Sequence, residues 1–221
     1  MSYIGTTEIG KMFLGDTEIA KAYLGSSFVY ENTPAAPPSI LPTGYTECEW
    51  VQPVNPTGSI DTSISQNSTW ELDLQCDSTP SGNQIIIARQ ASGANWAAAG
   101  ASGKWAISTK ASATNVTARS LITVAFSTSG ANFTVALTVN GETISFSNTQ
   151  SSGVVNTDIK LFGFGSNYLY KGKIYGVKCT SGGSFEGIPA KRDSDGVFGI
   201  YDIEGGVFYP GTGYTGQVKT T

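Results

Sequence analysis

The chain has 221 residues, only 14% of them charged, with a net charge of −4. A pI of about 4.8 and no basic cluster exclude a protein that tracks the phosphates of duplex nucleic acid. Histidine is absent, which removes the commonest general base and the commonest metal ligand. Three widely spaced cysteines, Cys48, Cys76 and Cys179, fit neither a disulfide framework nor a zinc site and are expected as buried free thiols. No apolar run is long enough to span a bilayer, and no basic-then-apolar leader follows Met1, so neither membrane insertion nor an export signal is expected. Gly, Ser, Thr and Asn are plentiful and helical Leu/Glu/Lys runs are missing, which points to an all-β protein.

In chain order, residues 3–30 come first, as a ten-residue repeat. Tyr3-Ile4-Gly5, Phe13-Leu14-Gly15 and Tyr23-Leu24-Gly25 recur, each followed by hydroxyl residues and then by Ile9, Ile19 or Val29. This predicts a short strand, a glycine-containing turn and another short strand. A strip of this size cannot bury a core of its own, so residues 1–31 are expected to dock on copies of themselves or on a partner. Ile9, Phe13, Leu14, Ile19, Tyr23, Leu24 and Val29 are the candidate attachment and oligomerisation residues. The ten-residue period gives equivalent residues the same parity, so Ile and aromatic positions flank Lys11 and Lys21 rather than forming a clean apolar face. Strands exchanged between subunits of a homo-oligomer, with a trimer favoured, or laid on a partner explain this better than a lone meander.

Residues 32–43 form a Pro-rich, extended linker. Residues 44–221 then read as successive strands: 48–54, 59–64, 69–76, 84–89, 104–109, 120–127, 132–139, 142–146, 159–164, 172–179, 196–201 and 206–209. Thr69 to Cys76 alternates Trp70, Leu72, Leu74 and Cys76 against Glu71, Asp73 and Gln75, one apolar face against one acidic and polar face. Asn140-Gly141 predicts a type I′ hairpin turn. Two packed antiparallel sheets in a jelly-roll sandwich are the expected architecture.

Tyr45-Thr46-Glu47-Cys48-Glu49-Trp50-Val51 and Ser59-Ile60-Asp61-Thr62-Ser63-Ile64 resemble the opening of concanavalin A-like, laminin-G-like jelly-roll domains; Ser63 stands where those have glycine. Gly172-Lys173-Ile174-Tyr175-Gly176-Val177-Lys178 resembles a late strand of that family. Ile188 to Arg192, Gly196 to Asp202 and Phe208-Tyr209 resemble its closing segment. The resemblance covers roughly residues 44–209. It implies a bacteriophage virion structural protein: a tail or head fibre, or a capsid decoration. It further implies partners among other virion proteins, a place on the virion surface, and a lectin-like sandwich that binds a host surface glycan. No cofactor is implied.

Two other classes stand beside this one: a purely architectural virion protein, and a glycan-degrading enzyme. Glucanases of this fold use a Glu-x-Asp-x-x-Glu strand, whereas the chain has Glu71-Leu72-Asp73-Leu74-Gln75-Cys76. A retaining glycosidase needs two carboxyl groups, and Cys76 supplies none. No catalytic residue is therefore assigned. Asp193-Ser194-Asp195-Gly196 lacks the later ligands of a calcium loop and is expected as a turn. The candidate ligand-binding residues are aromatics and amides in expected loops: Asn95, Trp96, Asn167, Tyr168 and Tyr170. Rings suit the C–H faces of sugars, and amides suit their hydroxyls. Residues 97–103, small and Gly-rich, are expected to leave open space around Trp96.

Overall fold

The computed structural model describes residues 3–4, 7–8, 13–14, 17–18, 21–24, 27–31, 40–54, 56, 58–65, 67–89, 96–130, 132–149, 158–163, 168–211 and 213–220, with backbone only before residue 40. The chain divides into two compact units, Met1–Pro38 and Ser39–Thr220. All the described secondary structure is β. Residues 32–39 of the expected linker lie outside the described residues.

The first unit turns the sequence period into structure. Strands β1 (Tyr3–Ile4) and β2 (Thr7–Glu8), β3 (Phe13–Leu14) and β4 (Thr17–Glu18), and β5 (Lys21–Leu24) and β6 (Ser27–Glu31) form three separate antiparallel pairs. Their registers repeat: Ile4 faces Thr7, Leu14 faces Thr17 and Leu24 faces Ser27. Of the candidate attachment residues, Phe13, Leu14, Tyr23, Leu24 and Val29 lie on these strands, while Ile9 and Ile19 are outside the described residues.

The second unit is a β-sandwich. Its strands are β7 (Tyr45–Pro53), β8 (Ile60–Asp61), β9 (Thr69–Gln75), β10 (Gln84–Arg89), β11 (Trp96–Ala99), β12 (Lys104–Ile107), β13 (Lys110–Asn115) and β14 (Ser120–Ser129). They continue as β15 (Asn132–Val139), β16 (Glu142–Thr149), β17 (Ile159–Leu161), β18 (Lys173–Ser181), β19 (Glu186–Arg192), β20 (Phe198–Asp202), β21 (Val207–Pro210) and β22 (Tyr214–Val218). One sheet has the order β13-β12-β11-β10-β17-β8. The other runs β16-β15-β14-β9-β18-β7-β19-β20-β21, with β22 on β7. Among the described residues, the pairings between these strands are antiparallel, and an isolated parallel bridge joins Ile85 to Leu169.

A single apolar core joins the two sheets. Trp70, Leu72 and Leu74 of β9 and Phe133, Val135 and Leu137 of β15 meet Ile87, Ala97, Trp105 and Leu161 of the other sheet. The alternation predicted for Thr69–Cys76 is present, with Trp70, Leu72, Leu74 and Cys76 inside and Glu71 and Asp73 on the outer face. Asn140 and Gly141 both have positive φ, 50° and 79°, between paired Val139 and Glu142, as a type I′ turn requires. A second cluster sits on the opposite face of the larger sheet. There Leu41 covers Ala190 and Tyr201, with Tyr45 edge-on to Tyr201 at 4.8 Å.

Residues 97–99 correct the expectation of an open Ala/Gly segment. They form β11, an interior strand whose three alanines are fully buried. Ala98 faces Ala106 on one neighbouring strand and Ile85 on the other. Short side chains there suit a strand buried on both faces, where packing overrides alanine's weak strand preference.

Candidate functional site

The three aromatics predicted to bind ligand differ in exposure. Tyr170 is fully buried: its hydroxyl donates to the Lys173 carbonyl at 3.3 Å, and the Cys76 thiol donates back to it at 3.9 Å. Its ring packs 6.2 Å from that of Phe162, and burial pushes its phenol well above the usual range. It is a core residue and offers no face to a ligand. Trp96 is half-buried at the start of β11, opposite Ala88. Tyr168 is 64% exposed and sits at a φ of 52°, while its carbonyl accepts the Ile85 N–H at 2.7 Å. Asn95 and Asn167 lie outside the described residues.

The outer face of the larger sheet carries a shallow hollow of about 280 Å³, over Gly176 and between Glu71, Asp73, Tyr175, Lys178 and Glu186. Its charges are largely matched internally. Arg119 donates Nε and Nη2 to Asp73 and lies 3.8 Å above the Tyr175 ring. Lys178 donates to Glu186 at 2.7 Å, and Lys219 to Glu47 at 2.5 Å. Glu71 lies opposite Lys178 in register. The next residue of the glucanase-like pattern, Cys76, points into the core, and burial raises its thiol to about 11.

A cleft of about 360 Å³ opens where the two sheets meet, lined by Gly58, Ser59, Ile60 and Asp61 on one side and Tyr209, Pro210, Gly211 and Tyr214 on the other. Its volume falls within the range of small-molecule pockets, roughly 300–1,000 Å³, whereas the hollow on the sheet falls just below it. Asp61 accepts from the Lys160 ammonium and, at 3.3 Å, from the Ser63 N–H. The Lys160 bond holds the Asp61 carboxyl below its ordinary range. Burial, with Asp202 and Asp61 nearby, raises the Tyr209 phenol; burial alone pushes Tyr214 up to about 12.

Sequence reasoning missed this cleft because it read Phe208-Tyr209 only as a closing segment and did not assign residues 214–218 to a strand. The available signal was a Pro210-Gly211 turn with tyrosines at Tyr209 and Tyr214 on either side of it.

The turn at Asp193–Gly196 uses its own carboxylates. Asp195 pairs with Arg192 at 2.6 Å, and Asp193 accepts from the Thr46 hydroxyl at 2.6 Å. Among the described residues no cluster of His, Cys, Asp and Glu could hold a metal ion. These features define an all-β sandwich protein with a separate hairpin repeat. No protein-family model matches the chain, and neither does any curated protein or solved structure.

Proposed function

We propose that the chain is a bacteriophage virion structural protein, a fibre, tail or head decoration. In this reading its N-terminal repeat attaches and oligomerises it, and its sandwich is a concanavalin A-like jelly roll that binds a host surface glycan without processing it. The observation that carries the reading is the triplicated hairpin of constant register in a unit of its own. Isolated two-stranded hairpins are marginal in water, so three of them in succession call for neighbours to pack on. The resemblance of residues 44–209 to jelly rolls of phage virion proteins supports the kind of assembly. The glucanase-like strand supports a role without processing of the glycan, since Cys76 stands where the second carboxylate would be and is buried.

The test compares the full chain with one lacking residues 1–38, by sedimentation and by incorporation into particles. The shortened chain is expected to be a folded monomer that no longer enters particles. Unchanged oligomerisation and incorporation would overturn the attachment role. If the shortened sandwich, artificially multimerised, does not bind the host cells that the particle adsorbs to, the role is architectural instead.

A further inference from the structure

We propose that the cleft between Gly58–Asp61 and the rings of Tyr209 and Tyr214 is a binding site for a neutral saccharide of mono- or disaccharide size. The proposal rests on the glycan-binding reading above and gives it a location other than Trp96 and Tyr168.

The cleft gathers groups that a sugar can use. Tyr209 and Tyr214 are half-buried and lie against the core, yet neither phenol oxygen hydrogen-bonds to another described residue. A tyrosine hydroxyl both donates and accepts, so each can exchange hydrogen bonds with a molecule in the cleft. Here the cleft is the open direction for both rings, and a molecule bound in it can supply a partner. Asp61 faces the same space with its side chain 53% exposed, so its carboxylate keeps lone pairs free beyond the Lys160 and Ser63 contacts. The Ser59 hydroxyl adds a donor and acceptor on the same wall. Gly211 lets the Tyr214 ring lie directly on the backbone, because a Cβ at that position would run into the ring.

Charge selects among ligand classes. An anion would meet Asp61, with Asp202 close behind Tyr209. A cation would find Asp61 already matched by Lys160, itself largely buried. An apolar molecule would strip water from two phenols and a carboxylate and return no hydrogen bond. A pyranose satisfies all three: its hydroxyls donate to Asp61 and exchange hydrogen bonds with the phenols, while its C–H face covers the aromatic rings.

The experiment titrates the full-length protein, with isotope-labelled tyrosine, using the methyl glycosides of glucose, galactose, mannose and N-acetylglucosamine. At least one glycoside is expected to shift the Tyr209 and Tyr214 ring signals saturably. Asp61→Asn and Tyr209→Phe are each expected to weaken that binding about tenfold or more, with Tyr168→Ala unchanged. Thermal unfolding of each variant checks its fold, and Tyr209→Phe keeps the ring, so a loss with it reads the hydroxyl. The proposal is overturned if no glycoside gives saturable shifts at high millimolar concentration. It is also overturned if binding survives both substitutions, or if choline or acetate fills the cleft and the sugars do not. Each of these leaves the result on residues 1–38 standing, so failure of the site and failure of the virion reading are separable.

Discussion

Burial sets the chemistry of the three thiols. Cys48, Cys76 and Cys179 are all free and buried, as their odd, scattered spacing predicts. Desolvation pushes Cys48 and Cys76 from the ordinary 9.0 up to about 11, the dominant cause in both; Lys191 partly opposes it at Cys48, and Tyr170 at Cys76. A thiol that ionises later in the folded state than in the unfolded one stabilises the fold fully below about pH 9. That contribution is lost as pH rises through about 11. Urea-unfolding stability should therefore fall between pH 9 and 11, and less steeply in a Cys48→Ala/Cys76→Ala variant. An identical slope in that variant would rule the thiols out as the cause.

At this scale the sequence reveals residue type more readily than placement. Tyr170 and Tyr209 are both tyrosines near glycines, yet one is sealed beside Phe162 and the other lines an open cleft. The difference comes from which sheet edge lies opposite, which is non-local information. Ser63 was legible in part: where the resembling family has glycine, it adopts a φ of 54°, held by the Asp61 carboxylate on its N–H.

Strands with alternating faces or a turn dipeptide could be read directly. β9, β14, β15 and β16 follow from period-two patterning and from Asn140-Gly141. β11 was not legible because three alanines carry no alternation. β13 and β22 were not because their outward residues are small and polar, with little apolar contrast. The Asn140-Gly141 turn gives an element-scale prediction. A Cβ added at Gly141 would meet only open space, so the φ of 79° is the sole obstacle to a side chain there. Gly141→Ala should cost about 1 kcal/mol, from the left-handed penalty alone. Denaturant unfolding measures this, and the loss should fall on the β15–β16 pair, seen as faster amide exchange there than in β9.

For the sandwich as a whole, the ends of its sequence meet in one ladder. β22 pairs with β7 along Tyr214↔Pro53, Gly216↔Val51 and Val218↔Cys48, joining residues more than 150 positions apart. Trp50 donates to Gln217 at 3.1 Å and Lys219 to Glu47 at 2.5 Å across the same seam. Such pairing closes only after nearly all the intervening chain is in place, so it adds to stability late and little to early folding. Comparing residues 39–220 with residues 39–211 isolates it. The shorter form loses the packing of Tyr214 against the core, about 1.5–3 kcal/mol for a large side chain. The two surface contacts add less than about 1 kcal/mol each. It also bares the β7 backbone groups that β22 had paired, a template for self-association. The truncated sandwich should therefore unfold at lower urea by roughly 2–4 kcal/mol and aggregate at concentrations where the longer form stays dispersed. Because Tyr214 is also a wall of the cleft, saccharide binding should vanish with β22 even in solvent conditions where the truncated chain remains folded. A truncated chain of undiminished stability would mean that β22 is not an integral strand of the larger sheet.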